Sequence, residues 1–84
     1  GDKLNFKKFH SSLKKINFPI NTVKTFYFFE TKRWDLTTQQ NQTIKLPSKN
    51  FEKSLKNFMI IKNEENFNQY KTFDYRIEEQ LIIK

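Results

Sequence analysis

The sequence predicts an α+β domain, an antiparallel β-sheet with two packed helices in the order α-β-β-β-α-β-β. Three observations lead there. Apolar residues recur at helical spacing in two separate stretches. Between those stretches lie an aromatic, β-branched run and two alternating runs joined by a few polar residues. Two further short runs of strand character close the sequence.

The first helix is read from "DKLNFKKFHSSLKKINFP". Phe6, Phe9, Leu13 and Ile16 fall on one face at 3.6 residues per turn, and Lys7, Lys8, Lys14 and Lys15 take the other faces. Asp2 or Asn5 can cap its start. Asn17 can end it, and Pro19 holds Phe18 in extended geometry. "INTVKTFYFFE" then predicts a strand over about Thr22–Glu30. Val23, Tyr27 and Phe29 lie on one face and Phe26 and Phe28 on the other. Two apolar faces predict an interior strand, covered on both sides. Glu30, Thr31 and Lys32 form a short polar turn.

"KRWDLTT" alternates, with Trp34 and Leu36 facing one way and Arg33 and Asp35 the other. "TIKLP" alternates again, with Ile44 and Leu46 inward, and the polar "QQNQ" makes the pair a hairpin. Asn41-Gln42 stands where Asn-Gly is usual. A positive φ at Gln42 would cost roughly 1 kcal/mol relative to Gly. Pro47 ends that strand. "SKNFEKSLKNFMIIK" is the second helix, with Phe51, Leu55, Phe58 and Met59 on one face. Asn50, or else Ser48, caps it, and Glu52 favours the positive end of its dipole. "NEENFNQY" reads as a polar loop. "KTFDYRI" is a strand with Phe73, Tyr75 and Ile77 on one face and Asp74 and Arg76 on the other. Glu78, Glu79 and Gln80 make a turn, and "LIIK" is a last short strand.

The 84 residues suit a single small domain, 1–84, whose thin core leans on ten Phe, three Tyr and one Trp. The absence of cysteine excludes disulfides and thiolate metal sites. No apolar run reaches the roughly 18 residues of a membrane span, and no signal peptide is visible. The net charge of +7 suggests a nucleic acid or an anionic surface. Its distribution argues otherwise. Residues 1–62 carry 13 Lys/Arg and 4 Asp/Glu, whereas residues 63–84 carry 3 and 5. Arg33 and Arg76 are the only arginines, and arginine is preferred for bidentate phosphate contacts. Lys, Asn, Ile and Phe share AT-rich codons, so a biased genome accounts for much of the lysine. A basic, aromatic-rich nucleic-acid-binding module, stacking bases on "FYFF", stays as the alternative reading.

Catalytic constellations are missing. The single His, His10, sits mid-helix with no partner set for a metal or a triad. The pairs Glu64–Glu65 and Glu78–Glu79 fall in polar turns. The single glycine, Gly1, excludes a glycine-rich phosphate loop. The expectation is a protein that is not an enzyme and holds no cofactor or metal. The remaining feature is the terminal "LIIK", an apolar strand at a sheet edge with one charge, Lys84. Such an edge is a template for a partner strand.

Arg33-Trp34-Asp35-Leu36, then Ile44-Lys45-Leu46-Pro47, then Phe73-Asp74-Tyr75-Arg76-Ile77, resemble in order and spacing the C-terminal β-domain of the bacterial cell-division protein family FtsQ (DivIB), most of all its proteobacterial branch. The resemblance covers essentially the whole chain. Gln42 replaces the family's turn Gly, Tyr75 replaces its Leu, and the loop before Asp74 is slightly short. The resemblance implies a non-enzymatic divisome scaffold at the periplasmic side of the bacterial inner membrane. The family's transmembrane helix, POTRA domain and earlier strands would then precede this region. It also implies partners, FtsB and with it FtsL, bound by strand addition at the last two strands. Carried over by motif position, the partner surface is Ile77, neighboured by Arg76 and by Leu81, Ile82 and Ile83. Arg33, Trp34, Asp35, Leu36, Leu46, Pro47 and Asp74 are the structural motif.

Overall fold

A computed structural model describes residues 2–77 and 80–84, apart from the side chain of Asp2. The capping role read for Asp2 and the turn positions Glu78 and Glu79 therefore lie outside the described residues. The elements are α1 (Asp2–Lys15), β1 (Val23–Phe29), β2 (Arg33–Thr38), β3 (Thr43–Lys45), α2 (Phe51–Ile61), β4 (Thr72–Asp74) and β5 (Ile82–Ile83). This is the α+β class and element order that the sequence predicts.

The five strands form one sheet whose spatial order follows the chain, β1-β2-β3-β4-β5. Three of the pairings are antiparallel, and β3 with β4 is parallel. The sheet is therefore mixed. The reason is α2, which carries the chain back to the starting end of β3, as a parallel connection requires.

Each helix covers part of one sheet face. α1 starts at Asp2, so Asn5 lies inside its first turn and is not its cap. Its C-terminus closes as a Schellman motif. The Asn17 N–H donates to Lys14 O at 3.0 Å and the Phe18 N–H to Leu13 O at 2.9 Å. Asn17 takes the left-handed conformation, φ 59°. Leu13 and Phe18, the apolar pair that accompanies this motif, are both buried. α2 starts after Asn50 as predicted, but Asn50 is left-handed (φ 58°) and makes no side-chain cap bond. Only its carbonyl engages, accepting from the Lys53 N–H at 3.2 Å.

The covered face of the sheet carries the row Phe26, Leu36, Ile44, Phe73 and Ile83, cross-strand neighbours from β1 to β5. Leu36, Ile44 and Phe73 are fully enclosed. Under α1 the core is aromatic: Trp34 stacks on Phe9 (centroids 4.7 Å apart, 11° between planes) and touches Phe6, Phe26 and Phe28. Under α2, Phe58, Phe67 and Phe73 pack at centroid distances of 5.0–5.3 Å. Phe67 belongs to a short 3₁₀ turn, Phe67–Gln69, inside the stretch read as a polar loop.

β1 departs from expectation. It is an edge strand, and only its Phe26 and Phe28 face is covered; Tyr27 and Phe29 are exposed. Val23 is buried with Phe26 and Phe28 despite its odd spacing from Phe26. A register shift between Val23 and Thr25 explains this, because one extra residue moves Val23 to the opposite face.

Candidate interaction edge

The open face of the sheet holds a second cross-strand row: Tyr27, Asp35, Lys45, Asp74 and Ile82. Its charges alternate, which suits opposite neighbours across strands. Two arginines brace it. Arg33 Nη1 donates to Asp35 Oδ1 at 2.5 Å and to Leu46 O at 3.3 Å. Its guanidinium also lies 4.5 Å from the centre of the Phe29 ring. Asp35, expected to face away from the core, is nonetheless buried among these neighbours. Arg76 donates from Nε to Asp74 Oδ1 at 2.9 Å and from Nη2 to Oδ2 at 2.6 Å. These side-chain bonds hold the Asp74 carboxyl below the ordinary carboxylate range. Asp74 in turn raises the Arg76 guanidinium.

Beyond Asp74 the chain leaves β4. Tyr75 is buried, its N–H donates to Lys45 O at 2.8 Å, and its hydroxyl donates to Asn57 Oδ1 of α2 at 2.8 Å. Burial raises the Tyr75 phenol. Ile77 does not share the buried face of Phe73 and Tyr75, as the alternation predicted. The strand ends at Asp74, and Ile77 is 52% exposed. Leu81 is half-buried against the core, so it anchors the last strand more than it offers contact.

β5 is the far edge. The Lys84 N–H donates to Thr72 O at 2.9 Å, and Lys84 O accepts from the Thr72 N–H at 3.0 Å. Thr72 and Lys84 are thus a hydrogen-bonded pair. Antiparallel pairs alternate, so Phe73 and Ile83 form a non-hydrogen-bonded pair. The N–H and C=O of Ile83 therefore point away from β4. No strand covers that side among the described residues. Ile82 and Ile83 are 37% and 40% exposed. Arg76, Ile77, Gln80 and Leu81 line an open groove together with Lys49, just before α2, and Lys53 in its first turn. The structure thus gathers all five residues expected at the partner surface at one end of the sheet.

Gln42 is the residue the sequence reading missed most clearly. It is 2% exposed, and Nε2 donates to Phe67 O at 3.2 Å and Tyr70 O at 3.1 Å. The left-handed position of the β2–β3 hairpin is Asn41, φ 61°, one residue earlier than expected. Asn tolerates it well. His10 packs beside Phe6, with ring centroids 5.7 Å apart. Among the described residues, no three metal-ligating side chains converge, and no helix is long and apolar enough to cross a membrane. No protein-family model and no curated protein matches the chain.

Proposed function

We propose that the chain is a protein-recruitment domain that takes a partner strand on the free side of β5. The outward N–H and C=O of Ile83 carry this reading. They offer main-chain hydrogen bonds to an added strand. Ile77, Ile82 and Ile83 supply exposed apolar surface beside them. Lys49 and Lys53 beside the adjoining groove favour a partner segment with acidic residues. The resemblance of Arg33–Leu36, Ile44–Pro47 and Phe73–Ile77 to the FtsQ family supports FtsB, with FtsL, as the partner. On that reading the domain is a non-enzymatic divisome scaffold on the periplasmic side of the inner membrane.

The test is titration of the domain with a periplasmic FtsB segment. Ile83→Pro deletes the outward donor and abolishes binding while the domain stays folded. Undiminished binding by a folded Ile83→Pro variant would sink the proposal. A gain of oligonucleotide affinity at low salt, falling steeply as salt rises, would favour the nucleic-acid alternative instead.

A further inference from the structure

Both helices lie on the same face of the sheet, where Phe9 of α1 meets Phe51 of α2 at a centroid distance of 4.9 Å. Along the chain the basic excess falls in residues 1–62, and in the fold much of it falls on this helix layer. α1 carries five lysines, Lys3, Lys7, Lys8, Lys14 and Lys15, and all are exposed. α2 adds the exposed Lys53 and Lys56. Among the described residues no lysine takes part in an ion pair. The open face of the sheet is different. There Arg33 pairs with Asp35, Arg76 pairs with Asp74, and Lys45 stands between the two aspartates. Two apolar residues interrupt the lysines of the helix layer. Leu4 is 55% exposed and Ile60 67%. Leu4 stands five residues before the buried Phe9, and Ile60 five after the buried Leu55. At 3.6 residues per turn, each points roughly 140° away from the core.

We infer that this helix layer docks on an anionic lipid surface, with its lysines at the headgroups and Leu4 and Ile60 at the boundary between headgroups and acyl chains. The residue types choose the occupant. Lysine is depleted at the buried centre of protein interfaces, so a face this rich in it does not suit burial under a protein segment, whether of this chain or of another. A nucleic-acid face would set arginine beside exposed aromatic rings. Neither helix contains arginine, and both arginines of the chain are tied to aspartates of the open face. Phe6, the aromatic ring of α1 outside the buried core, packs on Phe26 and Trp34. The outward apolar residues are aliphatic, which stack poorly on bases and partition well into lipid. Basic helices of this kind bind lipid interfaces by buried apolar area and by attraction to anionic headgroups. Each lysine near such a surface contributes about fivefold in affinity. Contact through the helices leaves β5 free, so it is independent of the role proposed for that strand.

Co-sedimentation of the chain with lipid vesicles tests this. Binding is expected to phosphatidylcholine vesicles that contain phosphatidylglycerol, weakening as salt rises, and not to pure phosphatidylcholine. Lys7→Glu with Lys53→Glu, one reversal on each helix, lowers the affinity on the order of a hundredfold. Lys24→Glu with Lys84→Glu makes the same change of net charge at the two edges of the sheet, and lowers it by less than about tenfold. Leu4→Ser with Ile60→Ser weakens binding on the order of tenfold. These positions are all exposed, so the variants keep the fold. Equal binding to neutral and anionic vesicles overturns the inference, as does an edge pair as damaging as the helix pair. Unchanged binding by Leu4→Ser with Ile60→Ser overturns it too. A chain that ignores anionic vesicles also overturns it, and if that chain binds a single-stranded oligonucleotide, the lysines belong to a nucleic-acid face.

Discussion

The side-chain amide of Gln42 donates to the main-chain oxygen of Phe67 at 3.2 Å, tying the β2–β3 hairpin to the turn that seats Phe67 in the core. A second bond from the same nitrogen reaches Tyr70 O. Every buried side-chain nitrogen or oxygen among the described residues has such a partner. Gln42→Leu keeps most of the volume but takes the side-chain donor from Tyr70 O and from Phe67 O, the latter still accepting from the Tyr70 N–H at 3.3 Å. It should destabilise the domain by about 2 kcal/mol in chemical denaturation. Gln42→Gly, which a turn reading would favour, adds a void and should cost more than Gln42→Leu. A Gly variant as stable as wild type would show that Gln42 is only a turn residue.

Lys32 is the third residue of the β1–β2 loop and holds φ 64°. Asn41 occupies the same place in the β2–β3 loop. Both hairpins thus use three-residue loops with a left-handed last position. Asn suits that conformation and Lys does not. Lys32→Gly should raise stability by up to about 1 kcal/mol, read as a higher denaturation midpoint. Asn41→Gly should gain less.

Asp74 links stability to pH. Its carboxyl is depressed below 3.8, first by the side-chain bonds from Arg76. A depressed carboxyl contributes stability above its unfolded pKa and loses it as pH falls through the folded value. Arg76→Met removes the bonds. The gap in stability between wild type and Arg76→Met should be full near neutral pH and close as pH drops below about 4. An NMR titration should find the Asp74 pKa higher in the variant. A gap that stays constant through the acid range would exclude this linkage.

Much of this architecture is legible in the order of residues. Trp34, Leu36, Ile44 and Leu46 alternate, and all four are buried as that alternation requires. Phe9, Leu13, Leu55 and Phe58 follow helical spacing into the core. What escaped has physical causes. Phe67 is a lone apolar residue among polar ones, so periodicity has nothing to detect. The register shift near Val23 inverts a face locally, which strict alternation misses. Strand order decides that β1 is an edge, and aromatics on both faces cannot reveal it. Alternation carried Ile77 onto a buried face because it does not show where β4 stops.

The parity of β5 yields a last prediction, independent of any partner. If the Ile83 N–H faces solvent while those of Ile82 and Lys84 face β4, their exchange rates must differ. In hydrogen exchange, the Ile83 amide should exchange fast and the Ile82 and Lys84 amides should be protected. Proline scanning should repeat the pattern. Ile82→Pro removes a donor to β4 and should cost roughly 1–3 kcal/mol. Ile83→Pro removes only an unpaired donor and should leave the denaturation midpoint nearly unchanged. Inverted protection, with Ile83 slow and Ile82 fast, would mean that β5 is shifted by one residue. Ile82, not Ile83, would then offer its backbone to the edge.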